Sequence, residues 1–259
     1  MMKLERLVLG LALVAAGVIG SPAFQHLSSV SGPNKLGPFA SMRVHSSASS
    51  AESGVAAEGQ VEVQSACTDG AYRSTGYRWT TRLNWRFKAS SRPKGWSSSG
   101  TAATLARAAN NITNGRNDCG LPDAISATNL YRGTTSRAPN IGSGGGCRGR
   151  DGYNVVGFGT LPPGYLALTC WWTYNGRIIE ADIKLNKAYY HWYIKRPSGC
   201  TRKWSVEAAA THEFGHAFGM AHVSESLHPH LTMSPVIKAC QSSEKTLGWG
   251  DLRGLQALY

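Results

Sequence analysis

The run Thr211-His212-Glu213-Phe214-Gly215-His216-Ala217-Phe218-Gly219-Met220-Ala221-His222 decides how the rest of the chain is read. His212 and His216 are four positions apart, so on a helix both imidazoles leave one face, about one turn from each other. Two rings held that way can share one metal ion, and Zn²⁺ is the usual occupant of an H-E-x-x-H helix. Glu213 follows the first of them, within reach of a water on that ion without serving as a ligand. Gly219 can adopt φ > 0 at little cost, end the helix and fold the chain back. That return brings His222 to the same ion as a third ligand and leaves the fourth position open. With each residue type used at a few per cent, chance yields this pattern on the order of 10⁻⁵ times in a chain of this length.

The composition suits a folded, loop-rich chain. Of 259 residues, 16% are charged and 42% hydrophobic, with 30 glycines, which excludes a disordered polymer and leaves room for one domain plus an extension. The formal net charge of +12 favours acidic partners. Its densest basic run is Arg73, Arg78, Arg82, Arg86, Lys88, Arg92 and Lys94, spread too thinly to make a nucleic-acid module. No specific nucleic-acid partner is expected.

At the N-terminus Lys3 and Arg6 precede an apolar run over residues 7–19, followed by small residues and Pro22. The pattern is that of an export signal over residues 1–23, cleaved after Gly20 or Ala23. The run is short of the roughly 20 residues a membrane span needs, so the mature form should be secreted, with no membrane span. Six cysteines (Cys67, Cys119, Cys147, Cys170, Cys200 and Cys240) fit that address as three disulfides. None has the C-x-x-C spacing of a cysteine zinc site.

Residues 24–66 are rich in Ser, Ala, Gly and Pro without apolar periodicity, and read as a propeptide or flexible linker. Aromatics appear from Cys67, where the domain of residues 67–259 should begin. Residues 77–87 partly alternate as a strand does. Leu105, Ala108, Ala109 and Ile112 then mark a helix over 101–112, closed by Asn114-Gly115. A strand and the helix that packs back over it run in opposite directions, which makes Cys67–Cys119 a reasonable pair. After a Gly-rich loop over 138–152, strands are expected at 153–158, 165–172 and 177–185. Ser205 is a suitable N-cap for the histidine helix, with Glu207 in its first turn. A final helix should run from about Asp251 to Tyr259.

With Met233 eleven residues after His222, in Leu231-Thr232-Met233-Ser234-Pro235, the chain resembles the metzincins, zinc endopeptidases whose third histidine is followed by a Met-turn. Within that clan it is most similar to the matrixins. Residues 251–259 resemble their closing helix, and Gly164-Tyr165-Leu166-Ala167-Leu168-Thr169 their G-x-L-A edge strand. The likeness spans residues 77–259 and is strongest from Ser205 onward. It implies an α+β fold: a twisted, mostly parallel sheet with an antiparallel edge strand, an active-site helix, a Met-turn and a C-terminal helix. It also implies a monomeric endopeptidase that acts on protein or peptide substrates.

In that picture His212, His216 and His222 hold one catalytic zinc, Glu213 is the general base toward a zinc-activated water, and Met233 forms an apolar floor. Tyr165, Leu166, Ala167, Leu168 and Thr169 pair with an extended substrate, and Val236 and Ile237 line the main specificity pocket. The resemblance leaves room for calcium, with Asp151 and Asp182 as candidate ligands.

Four positions depart from the family pattern or imitate it. Leu168 replaces a histidine ligand of a structural zinc, so that second ion is not expected. Gly250 replaces one of two adjacent acids, leaving Asp251 to hydrogen-bond near the Met-turn. Pro235 replaces a tyrosine that supplies an extra ligand in other metzincins. Cys119-Gly120-Leu121-Pro122-Asp123 imitates a latency motif but follows the first helix, where a disulfide role suits Cys119 better. Two rival readings remain, a zinc amidase acting on cell-wall peptides and a secreted basic protein that binds zinc without catalysis.

Overall fold

The computed structural model describes residues 35–36, 40–44 and 64–259. The expected export signal and most of the 24–66 segment lie outside them. Two short strands come first, β1 (Lys35–Leu36) and β2 (Ala40–Val44), followed by β3 (Arg73–Ser74) and β4 (Leu83–Phe87). The strand expected over 77–87 is thus confined to its second half. The first half packs instead: Trp79 is buried and its indole N–H donates to the Ala217 carbonyl at 2.8 Å.

Helix α1 (Ser98–Thr113) starts earlier than its apolar spacing suggests, because the Ser97 side chain caps it by accepting from the Gly100 N–H at 3.1 Å. Leu105, Ala108, Ala109 and Ile112 are fully buried on its inner face. Strands β5 (Asn129–Thr134), β6 (Asn154–Gly159), β7 (Tyr165–Tyr174) and β8 (Arg177–Asn186) follow. Two small strands, β9 (His191–Tyr193) and β10 (Lys203–Ser205), pair parallel just ahead of helix α2 (Val206–Ala217). The chain ends through β11 (Met220–Ala221), β12 (Val236–Ile237) and helix α3 (Trp249–Leu258).

The main sheet has the order β12-β2-β7-β8-β6-β4-β5, with β1 also on β7. Strands β5, β4, β6 and β8 are parallel and β7 is antiparallel to β8, so the expected α+β class holds. Both faces of β7 are covered. Ala167 and Trp171 belong to the main core with Phe214 of α2, whereas Leu168, Cys170 and Trp172 pack with Ile141 and Leu161 under the Gly-rich loop. Each large side chain buried this way contributes on the order of 1.5–3 kcal/mol.

Within the described residues 64–259, β7 pairs with β8 alone and is the antiparallel edge strand expected; from the preceding segment β1 and β2 pair antiparallel with its other side, and β2 pairs parallel with β12. The β2 sequence alternates, with Ala40, Met42 and Val44 against Ser41 and Arg43, a period too short to stand out in a segment rich in Ser, Ala, Gly and Pro.

The three disulfides are Cys67–Cys119, Cys147–Cys170 and Cys200–Cys240. The first is the pair expected from the opposed strand and helix, and it consumes the cysteine of the latency-like motif. The second staples the Gly-rich loop to β7. Among the described residues no helix is long and apolar enough to cross a membrane.

Candidate metal centre

Helix α2 is the platform. The Ser205 side chain caps it by accepting from the Ala208 N–H at 3.2 Å, with Glu207 in the first turn, as the sequence suggested. The Asn111 amide of α1 reaches the Thr211 hydroxyl at 3.3 Å and the Lys245 carbonyl at 2.8 Å, fixing α2 against α1. At the other end the carbonyls left without helical partners are taken up by side chains: Trp79 binds that of Ala217, and the Tyr259 hydroxyl that of Phe218 at 3.1 Å. The chain then turns at Gly219, whose φ is +93° and whose N–H donates to the His216 carbonyl at 2.9 Å. A Cβ there would lie 2.0 Å from the Tyr77 carbonyl oxygen, so both backbone sign and space call for glycine.

The turn brings three imidazoles together. The Nε2 atoms of His212, His216 and His222 lie 2.9–3.0 Å apart. His212 Nδ1 is 2.7 Å from the Thr232 carbonyl and His216 Nδ1 is 2.9 Å from that of Met220. A carbonyl accepts only, so each Nδ1 carries the proton and each Nε2 turns its lone pair toward the common point. Burial, then the neighbouring His222, pushes His212 down to about 3, and burial pushes His216 well below the ordinary histidine range, so both rings are neutral at pH 7. Ring nitrogens converging this closely suit a shared cation, and three imidazoles are a donor set zinc accepts. A tetrahedral zinc with Zn–N of about 2.0–2.1 Å would hold its ligand atoms roughly 3.3 Å apart, so the residues present fit the ion. Among the described residues this trio is the group whose ligand atoms could hold a metal.

The surroundings of the trio are built as tightly. Glu213 is fully buried; the Thr169 hydroxyl of β7 donates to its carboxylate and lies 3.1 Å from its backbone carbonyl. The sequence reading placed Thr169 only in the substrate strand and missed this second contact; its polar side chain in an otherwise apolar stretch was the available signal. It also missed Trp171, whose ring stacks on His216 with centroids 6.4 Å apart.

Met233 packs beneath α2, where a Cβ on Gly215 would sit 2.4 Å from its sulfur. Asp251 holds the Met-turn in place, accepting from the N–H groups of Thr232 at 2.8 Å, Met233 at 3.0 Å and Gly248 at 2.9 Å. Gly250 has its own reason to be small: a Cβ would lie 1.8 Å from the Ala71 carbonyl oxygen, because residues 66–71 run against the start of α3. Val236 and Ile237 form β12, just past the Met-turn.

The proposed calcium ligands are engaged otherwise. Asp182 accepts from the N–H groups of Asn140 at 2.6 Å and Val155 at 2.7 Å, and Asp151 pairs with Arg137 at 3.0 Å. Leu168 is fully buried in the smaller apolar cluster.

Residues 162–259 match the model of the matrixin family. No curated protein matches the chain. The match contains α2, the three histidines, the Met-turn and α3, so the chain carries a matrixin-like metzincin catalytic domain.

Proposed function

We propose that the protein is a secreted zinc endopeptidase, with residues 1–23 an export signal, 24–66 a prosegment and 67–259 the catalytic domain. The observation that carries this reading is the convergence of three Nε2 atoms within 2.9–3.0 Å beside a buried carboxylate held by Thr169. His212, His216 and His222 would hold the ion. Zinc bound there would supply Lewis acidity toward a substrate carbonyl and increase the acidity of a water molecule.

The remaining chemistry belongs to the chain. The Glu213 carboxylate takes a proton from the attacking water and returns it to the leaving amine. Thr169 orients that carboxylate. The Thr232 and Met220 carbonyls fix the tautomers of His212 and His216. Tyr165, Leu166, Ala167, Leu168 and Thr169 offer backbone to an extended peptide, and the apolar Val236 and Ile237 favour an apolar residue after the bond that is cut. The endopeptidase reading is preferred over a purely structural zinc because structural sites are closed by four protein ligands, whereas three converge here among the described residues.

The test is hydrolysis of a quenched peptide library with and without chelator. Glu213→Gln should keep about one zinc per chain and lose about 10²–10⁴-fold in kcat. Normal turnover by that variant would remove Glu213 as the base. Digestion of peptidoglycan but not of casein would favour the amidase instead.

A further inference from the structure

We propose that the outer face of the sheet carries an anion site, formed by Arg82, Arg86 and Arg132, which docks the protein on a polysaccharide bearing sulfate or phosphate esters. The site is remote from the three histidines, and the proposal does not depend on the endopeptidase reading.

Alternation along β4 builds it. Leu83, Trp85 and Phe87 are buried in the main core, where Trp85 meets Phe214 of α2 with ring centroids 5.4 Å apart. Asn84 and Arg86 therefore leave the face turned away from α2. In β5, Tyr131 packs on Trp85 with centroids 4.8 Å apart, so Arg132 leaves the outer face as well. A cavity of about 460 Å³ opens there, and its lining includes Arg82, Asn84, Arg86, Arg132, Tyr153 and Asn154. Folding thus gathers two arginines of the basic run over residues 73–94 with a third that lies 46 residues beyond Arg86. In the sheet order β6 and β8 stand between β4 and β7, so the cavity lies three strand spacings, about 14 Å, from β7 and on the opposite face from α2.

The cavity suits negative charge. Among the described residues no ion pair involves Arg82, Arg86 or Arg132, and no acidic residue stands in the lining. Main-chain carbonyls hold the walls instead: Arg86 Nη1 donates to that of Arg132 at 2.8 Å, and Asn154 Nδ2 to that of Asn84 at 2.9 Å. A carbonyl fixes the direction of a guanidinium without neutralising it, so three positive charges border one space uncompensated. Each guanidinium presents a rigid fork of N–H donors that matches the oxygens of a sulfate or phosphate group.

Size and access select a sugar chain. A volume of about 460 Å³ falls in the range of small-ligand sites; a bare oxyanion fills part of it, and a sugar ring carrying that ester fills more. Tyr153 is 38% exposed, with the Arg137 guanidinium 3.9 Å from its ring centroid, and an aromatic ring offers an apolar wall to the C–H face of a sugar. An acidic peptide fits less well. Extended peptides add to a free strand edge, whereas this cavity opens on the face of strands already paired with one another. The net charge of +12 draws a polyanion toward the molecule, and the arginine cavity decides where it seats.

The experiment titrates the full, zinc-loaded chain by calorimetry with a sulfated and with a phosphate-bearing tetrasaccharide, beside an acidic peptide and a single-stranded oligonucleotide of equal charge. A tetrasaccharide should bind one per chain and weaken as salt rises, and the tighter of the two identifies the ester. Arg82→Gln combined with Arg132→Gln should lose about tenfold or more in affinity. Lys195→Gln combined with Lys203→Gln removes as much charge from exposed positions around the separate β9–β10 pair and should lose little. All four side chains are exposed, so both double variants should unfold at the wild-type temperature. Equal losses in the two would reduce the binding to net charge and overturn the proposal. So would tighter binding of the peptide or the oligonucleotide, or no binding of either tetrasaccharide at low salt.

Discussion

At the scale of single residues, the centre depends on atoms that are missing as much as on those present. Gly219→Ala places a side chain at φ +93°, 2.0 Å from the Tyr77 carbonyl oxygen. The backbone conformation alone costs about 1–2 kcal/mol, and relieving the clash moves the turn that delivers His222. The variant should melt lower and bind zinc more weakly than wild type, measured by thermal unfolding with and without chelator; unchanged zinc affinity would mean His222 is placed by something else. Thr169→Val tests the opposite kind of residue. It keeps the shape and removes the hydroxyl that holds Glu213, so kcat should fall by tenfold or more with KM and zinc content little changed. A fall confined to KM would make Thr169 a substrate contact instead.

At the scale of elements, the Gly-rich loop over β8 is held by buried charged groups. Asp182 accepts two backbone N–H groups, Glu180 accepts those of Asp151 at 2.9 Å and Gly152, and the Lys184 ammonium donates to the Ile141 carbonyl. Burial pushes Asp182 up to about 8 and raises Glu180 as well, and the backbone donors only partly offset it. A carboxyl held above its unfolded value keeps its proton in the folded chain after the unfolded chain has lost it. The stability that Asp182 contributes should therefore be greatest in mild acid and be lost as pH rises from about 4 to about 8, whereas the buried His212 and His216, held below the ordinary histidine range, act in the opposite sense up to about 6.5. Denaturant unfolding of wild type and Asp182→Asn side by side isolates the carboxyl: wild type should lose stability relative to the variant as pH rises over that range. A difference that stays constant with pH, or moves the other way, would contradict it. Replacing both Cys147 and Cys170 by alanine opens the staple between this loop and β7, at a cost of about 3 kcal/mol.

The same elements mark what the sequence made legible. The histidine helix, its Ser205 cap and α1 could be read because each is encoded within a few residues by a repeating period or a capping side chain. Cys67–Cys119 followed from simple opposition of strand and helix. The place of β2 in the sheet could not be read this way. Its partners are more than 120 residues further on, and five alternating residues are too few to mark a strand within a Ser-, Ala-, Gly- and Pro-rich segment. The need for Gly250 was hidden for a related reason, since residues 66–71 press on it from a distant part of the chain.

At the scale of the whole molecule, a single scaffold brings the parts of one centre from opposite ends of a long stretch of chain. Strand β7 supplies Thr169, α2 supplies two imidazoles and the carboxylate, the Gly219 turn supplies the third imidazole, and α3 supplies the Asp251 that fixes the Met-turn. The net charge of +12 adds a long-range preference for acidic proteins or surfaces, and any such association should weaken as salt shortens the Debye length to about 8 Å near physiological ionic strength. The central claim is that three imidazoles share one zinc and leave it open to substrate. Zinc-edge X-ray absorption on the purified, zinc-loaded chain tests it directly: the account predicts one zinc per chain, three nitrogen donors at about 2.0–2.1 Å and a remaining light-atom donor from solvent. A sulfur shell, or a chain that takes up no zinc with all three histidines intact, would contradict it.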